Sequence, residues 1–126
     1  MTGVGFWLPW PPSVNRYWRH GRGRTYIAKP GAQYRQEVHR LTTGILYEPL
    51  AGRLCVRLTA FPPDNRLRDI DNIAKALLDA LEGRVFVNDS QIDHLIIRRG
   101  AKRVGGQVWV DIDTVDGVVN ECKGDG

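Results

Sequence analysis

Two aspartates one residue apart, Asp69 and Asp71, stand in a short stretch that also carries Arg66, Arg68 and Lys75. Carboxylate oxygens are the hard donors that Mg²⁺ takes, and this ion keeps water and substrate phosphate in the rest of its octahedron, so two or three acids suffice for a catalytic site. The flanking cations would hold an anionic substrate against the metal. The two acids lie where the loop after Pro62-Pro63 enters a predicted helix, and residues so spaced can aim at one point because the first is still outside helical geometry. Asp89 falls in an Asn88-Asp89-Ser90 turn after the next strand. If that strand runs back beside the helix start, Asp89 closes a three-carboxylate cluster whose mutual repulsion favours a bound divalent cation. Lys75, four residues beyond Asp71, lies on the same helical face. The same residues also allow a plainer arrangement, with Asp69 as helix N-cap, Asp71 as a second acid favoured by the helix dipole, an Asp71–Lys75 surface pair and an ordinary turn at Asp89. Spacing alone does not choose between the two.

Other chemistry is less well supplied. His20, His39 and His94 have no metal-ligand spacing, and the serines and cysteines have no nucleophile setting. Gly21-Arg22-Gly23 and Gly105-Gly106 are too short for phosphate-binding fingerprints and no Walker-type lysine follows, so no nucleotide cofactor is expected. Asp93 is a fourth acid whose direction on its strand the spacing does not fix.

Charge points to an anionic partner. The chain carries +4 over 126 residues, yet residues 1–36 hold Arg16, Arg19, Arg22, Arg24, Lys29 and Arg35 and no acid, which leaves the remainder net acidic. Arginine outnumbers lysine 14 to 4, and its planar fork pairs bidentately with phosphate. Tyr17, Trp18, His20 and Tyr26 interleave with these cations, a combination suited to backbone contact plus stacking on nucleic acid. A solvated basic loop over buried aromatics is the alternative.

The elements that must position these groups follow from periodicity. Val4–Leu8 reads as a strand stopped by Pro9, Pro11 and Pro12, and Ser13–Pro30 as a long functional loop that builds no core. Tyr34, Val38, Leu41 and Ile45 predict an amphipathic helix from Ala32 to about Leu46. Gly52–Phe61 alternates as a half-buried strand. Ile73, Ala74, Leu77, Leu78 and Leu81 give the core face of a second helix that begins near Asp69 and stops at Gly83. Val85–Val87 and Gln91–Arg98 read as strands, with Arg99–Gly106 a hairpin loop into Gln107–Ile112. The expected class is α+β, two main helices packed on a mixed, mostly antiparallel sheet. One domain spans residues 1–113, and 114–126 form a loose tail. Met1–Pro12 lacks the features of a signal peptide, and no run reaches membrane-spanning length. Cys55 and Cys122 show neither zinc spacing nor a disulfide framework, which favours a reducing, cytoplasmic setting.

At the level of ordered motifs the chain resembles one family. Leu8-Pro9-Trp10-Pro11-Pro12-Ser13-Val14-Asn15-Arg16-Tyr17-Trp18-Arg19-His20, then Gly23-Arg24-Thr25, Arg68-Asp69-Ile70-Asp71-Asn72 with Lys75, Asp79-Ala80-Leu81 and Val87-Asn88-Asp89-Ser90-Gln91 are together similar to the RusA family of Holliday-junction resolvases. The resemblance implies a small dimeric Mg²⁺-dependent endonuclease, common in prophages, with Mn²⁺ able to substitute, that cuts four-way DNA junctions by paired symmetric nicks in recombination and repair. It implies catalytic, metal-holding aspartates at Asp69, Asp71 and Asp89 and an active-site lysine at Lys75. Relatives often carry an acid where this chain has Asn88, which makes Asp89 the third ligand. Asn15, Arg16, Arg19, Arg24, Arg66 and Arg68 are the candidate DNA contacts. The expected partners are junction DNA at the nucleoid and a second copy of the chain, joined through Ile92, Leu95, Ile96 and Ile97. A non-catalytic junction- or single-strand-binding module and a flap or fork nuclease are the competing readings.

Overall fold

The computed structural model describes residues 3–66 and 68–115. A four-stranded sheet in the order β1-β6-β4-β5 carries the helices, and a separate two-stranded sheet, β2-β3, stands beside it. In the main sheet β1 (Gly3–Pro9) pairs antiparallel with β6 (Gln107–Val115), β6 antiparallel with β4 (Arg53–Phe61), and β4 parallel with β5 (Ile92–Arg99). This is the α+β class with a mixed sheet. Leu54, Val56, Leu58 and Ala60 of β4 and Val108, Val110 and Ile112 of β6 belong to one buried cluster with Phe6 and Leu8, Tyr34 and Val38 of α2 (Lys29–Thr42), and Ile73, Leu77 and Leu81 of α3 (Ile70–Leu81). The alternate positions of β4 face the other way, where Arg57 bridges Asp111 at 2.9 Å and Asp113 at 2.8 Å on the neighbouring strand.

The connection after β4 differs from the expected one. Parallel strands need a crossover, and α3 supplies it between β4 and β5. The chain then passes across the end of β4 through residues 100–106, pinned by Gly100 N–H to Ala60 O at 2.7 Å and Arg103 N–H to Pro62 O at 2.8 Å. So β5 and β6 are not a hairpin: β4 lies between them. The expected strand at Val85–Val87 is reduced to isolated bridges from Phe86 to Leu50 and Glu82. Thr114 and Val115, expected in the tail, still belong to β6, opposite Leu54 and Arg53. The remainder of that tail, and with it Cys122, lies outside the described residues.

The largest departure is in Ser13–Pro30. This segment folds into a helical turn, α1 (Val14–Tyr17), and a hairpin of β2 (Trp18–Gly21) and β3 (Arg24–Ile27). Arg22 (φ 51°) and Gly23 (φ 77°) make its two-residue turn, both left-handed as a type I′ turn requires. The segment also builds core, because Tyr17 is fully buried and its hydroxyl donates to Asp79 Oδ2 at 2.5 Å. Burial and the Asp79 carboxylate push the Tyr17 phenol above its ordinary pKa, so it remains a donor. Helix α2 begins at Lys29 rather than Ala32, since Pro30 sits in its first turn, where the missing N–H costs nothing. Gly31 follows because a Cβ there would stand 2.4 Å from the Tyr17 carbonyl oxygen. No helix among the described residues is long and apolar enough to cross a membrane.

Candidate active site

Helix α3 starts at Ile70, with Asp69 as its N-cap residue in extended conformation (φ −81°, ψ 124°). A capping aspartate normally turns its carboxylate onto an exposed N–H of the first turn. Asp69 makes no such side-chain bond. Asp71 lies in the first turn and Lys75 one turn further on, both exposed, and the surface pair between them is not made.

Asp89 opens a 3₁₀ turn, Asp89–Gln91, that leads into β5. Its backbone is fastened on both sides. The Asp89 N–H donates to Glu82 Oε1 at 3.0 Å, from the C-terminal end of α3. Gln91 Oε1 accepts from the N–H groups of Val87 and Asn88, each at 2.9 Å, while its Nε2 donates to the carbonyls of Leu50 at 3.0 Å and Gly52 at 2.9 Å. All four hydrogen-bonding positions of one amide are thus used to tie the Asp89 turn to the chain entering β4. Asn88 is part of the same fastening: its side chain accepts from Ser90 N–H at 2.8 Å.

These elements bring Asp69, Asp71, Asp89 and Lys75 to the lining of one open cleft of about 860 Å³. The N-terminal segment also lines it, with Asn15, Trp18 and His20. Asn72, between the acids and the lysine in sequence, ties α3 to that segment: its Oδ1 accepts from Val14 N–H at 3.0 Å. His20, which the sequence groups with the aromatics interleaved among the N-terminal cations, lies in the cleft lining beside the acids. Its Nδ1 is 2.9 Å from Thr25 Oγ1 across the hairpin.

Electrostatic partners separate these acids from most of the others. Asp64 is held by Arg66 and Arg68, Asp79 by Tyr17 and Arg35, Asp93 by Arg53, Asp111 and Asp113 by Arg57, and Glu37 by Arg40. Among the described residues, Asp69, Asp71 and Asp89 have no hydrogen-bonding or ion-pair partner for their carboxylates. Three unpaired hard-oxygen groups on one cleft suit a hard divalent cation by donor chemistry. They do not form a closed cage: among the described residues, no three acid, imidazole or thiol groups are gathered tightly enough to grip an ion. Like charges resist such gathering. Asp93 is committed to Arg53 on the neighbouring strand.

The candidate DNA contacts divide by position. Asn15 is in the acid cleft, and Arg19 and Arg24 are exposed on β2 and β3. Arg16, Arg66 and Arg68 line an adjoining cleft that shares Asp69 and Asn72 with the first. Arg66 is open to solvent, its side chain 80% exposed, whereas Arg68 is 21% exposed and grips Asp64 at 2.7 and 3.2 Å. The Arg68 guanidinium, with help from the Arg66 backbone N–H, holds the Asp64 carboxyl well below the usual range.

Known proteins share this arrangement of sequence along nearly its whole length. The family model described as Endodeoxyribonuclease RusA matches residues 9–113. A crossover junction endodeoxyribonuclease of Enterobacteria phage HK97 is 37% identical over 120 residues, which is 94% of this chain and 100% of that one. Its counterpart from Enterobacteria phage 82 is 42% identical over 108 residues, 83% and 89% of the two chains, and that from Shigella sonnei is 41% identical over 115 residues, 89% and 95%. With the match running from the proline-rich segment through both acid-bearing turns to the last strand, the chain belongs to the RusA family of endodeoxyribonucleases.

Proposed function

We propose that this protein is a Mg²⁺-dependent, structure-selective endonuclease that resolves four-way DNA junctions by paired symmetric nicks. The observation that carries the reading is the set of three unpaired carboxylates, Asp69, Asp71 and Asp89, on one cleft with Lys75 and beside a cationic hairpin. A module that only binds DNA would use these acids as a cap, a surface pair and a turn, and their side chains do none of this work. Asp69, Asp71 and Asp89 would hold Mg²⁺, or Mn²⁺ in its place, and the bound ion supplies an activated water at neutral pH and a counter-charge to the phosphate. Lys75, exposed on the same helical face, stabilises negative charge on the phosphate oxygens as it develops. Arg19, Arg22 and Arg24 project from a hairpin that Tyr17 anchors in the core, so they hold the DNA backbone against the cleft without the hairpin having to order itself on binding.

Paired nicking needs two such clefts at fixed separation, and a two-fold dimer supplies them with the symmetry of the junction. Support comes from β5, an edge strand on which Leu95 is 42% exposed and, with Ile97, reaches the rim of the acid cleft. A second copy covering that edge would close the cleft from the open side. The work belongs at the nucleoid of a bacterial or phage-infected cell, where junctions arise.

Gln91 positions Asp89 without touching substrate. Gln91→Ala is expected to lower nicking roughly 10–100-fold at limiting Mg²⁺, the usual effect of removing a group that orients a metal ligand, with partial recovery at high Mg²⁺. Equal loss at all Mg²⁺ concentrations would assign Gln91 to folding alone. The substrate assignment is tested by comparing a mobile four-way junction, a flap and a linear duplex of matched sequence. Cuts in opposing strands of the junction are expected. Equal cutting of flaps would make it a fork nuclease, and binding without nicks would leave only the binding module.

A further inference from the structure

The cleft adjoining the acids has a use of its own. It measures about 690 Å³ and is walled by Trp10, Pro63, Arg16, Arg66 and Arg68, with Asp69 and Asn72 as the edge it shares with the acid cleft. A strand whose phosphate lies at Asp69 therefore runs directly into it. The volume is in the range of small-ligand sites, too confined for a duplex.

Trp10 borders this cleft as a held surface. The Arg68 guanidinium lies over the indole, 5.7 Å from its centroid, and is itself fixed by two bonds to Asp64, while Arg99 donates to the Arg68 backbone carbonyl at 2.5 Å. At the stem of the side chain, Gly106 (φ 72°) comes so close that a Cβ there would stand 2.9 Å from Trp10 Cβ and 3.1 Å from Pro63 Cδ. Arg68 is thus spent on building the wall, while Arg66, whose guanidinium meets Asp64 only through Nε at 3.4 Å, is 80% exposed and can turn its outer nitrogens to phosphate.

An immobilised aromatic surface with arginines around it, one step from a phosphate-cutting centre, is the arrangement by which proteins stack an unpaired base while holding its backbone. From this, we infer that the cleft receives the nucleotide next to the scissile phosphate in unstacked form, its base on Trp10 and its phosphate at Arg16 and Arg66. This rests on the nuclease reading above and adds to it a source of selectivity. A base can reach Trp10 only where the helix is already opened, as at the crossover of a junction.

The test couples the protein to the DNA. A fixed four-way junction is made with a single abasic residue at each nucleotide flanking the nick in turn, and binding and cutting are measured for the wild-type protein, Trp10→Phe and Trp10→Ala. One abasic position is expected to weaken wild-type binding roughly 5- to 100-fold, the range for loss of one stacked base. Trp10→Ala should lose a similar factor on intact DNA and almost nothing more on the abasic junction, while Trp10→Phe, which keeps a smaller aromatic face, should lose less than Trp10→Ala on intact DNA and still respond to the abasic residue. If no abasic position weakens the wild-type protein, or if the same one weakens wild type and Trp10→Ala alike while both still cut intact junctions, the base is not on Trp10 and the nuclease reading stands without it. Failure of the wild-type protein to cut any junction would instead overturn the nuclease reading.

Discussion

Replacing Asp69, Asp71 or Asp89 singly by asparagine is expected to abolish nicking while leaving junction affinity intact or slightly raised. Each amide is nearly the shape of the acid but lacks the charge with which a carboxylate holds a divalent cation. The activated water and the counter-charge on the phosphate together are worth several kcal/mol of barrier, so a site that no longer holds its ion loses about 10³-fold or more in rate, at 1.36 kcal/mol per factor of ten. Binding moves the other way, because removing a negative charge beside DNA cannot weaken its attraction for phosphate. Folding is little affected, since none of the three carboxylates has a protein partner to lose among the described residues. Glu48→Gln is the control: this exposed acid also lacks a partner but does not line the cleft, and the variant should cut at the wild-type rate. Nick rates under single-turnover conditions and gel-shift affinities on the same junction check both halves. An Asp89→Asn variant with full activity would remove that residue from the site.

The second large effect is at Lys75. Lys75→Met keeps the length and apolar stem of the side chain and removes only the ammonium, so α3 should remain intact. If Lys75 acts on charge that develops during cleavage, the rate should fall by roughly 10²–10³, as for loss of other pre-positioned electrostatic donors, with much less change in affinity. A loss shared equally between binding and rate would make Lys75 an ordinary backbone contact, like the arginines of the hairpin.

Much of the frame that carries these residues is written in local pattern. β1, β4, α3 and β6 each bury one set of apolar residues at the spacing of their element, and their bounds fall within two or three residues of those the spacing predicts. Helix α3 is the clearest, with Ile73, Ala74, Leu77, Leu78 and Leu81 all buried. Where local pattern failed, the causes were local backbone geometry without its usual residue signal and contacts distant in sequence. Pro30 and Gly31 look like helix breakers, but one is harmless in a first turn and the other is required by the Tyr17 carbonyl pressed against it. The β2–β3 hairpin turns on Arg22, a residue seldom found with positive φ, so the usual Asn-Gly signal is missing. Nor does any feature of residues 99–107 show that β4 intervenes between the two strands they join. At the site, the acid spacing was visible but its meaning was not, since a cap and a metal ligand use the same aspartate. What spacing cannot show is the unpaired state of the side chains, and that is what supports the proposal of a metal site. Gln91 and Asn72 act through backbone groups far along the chain, which no periodicity reveals.

On the function proposed above, the cleft cuts DNA through a divalent cation held by Asp69, Asp71 and Asp89. The most direct measurement is nicking of a mobile four-way junction by the purified protein with Mg²⁺, with Mn²⁺, with Ca²⁺ and with chelator. Paired nicks with Mg²⁺ or Mn²⁺, binding with little cutting in Ca²⁺, whose looser coordination positions water poorly, and no cutting in chelator are the predicted results; undiminished nicking in chelator would contradict the account.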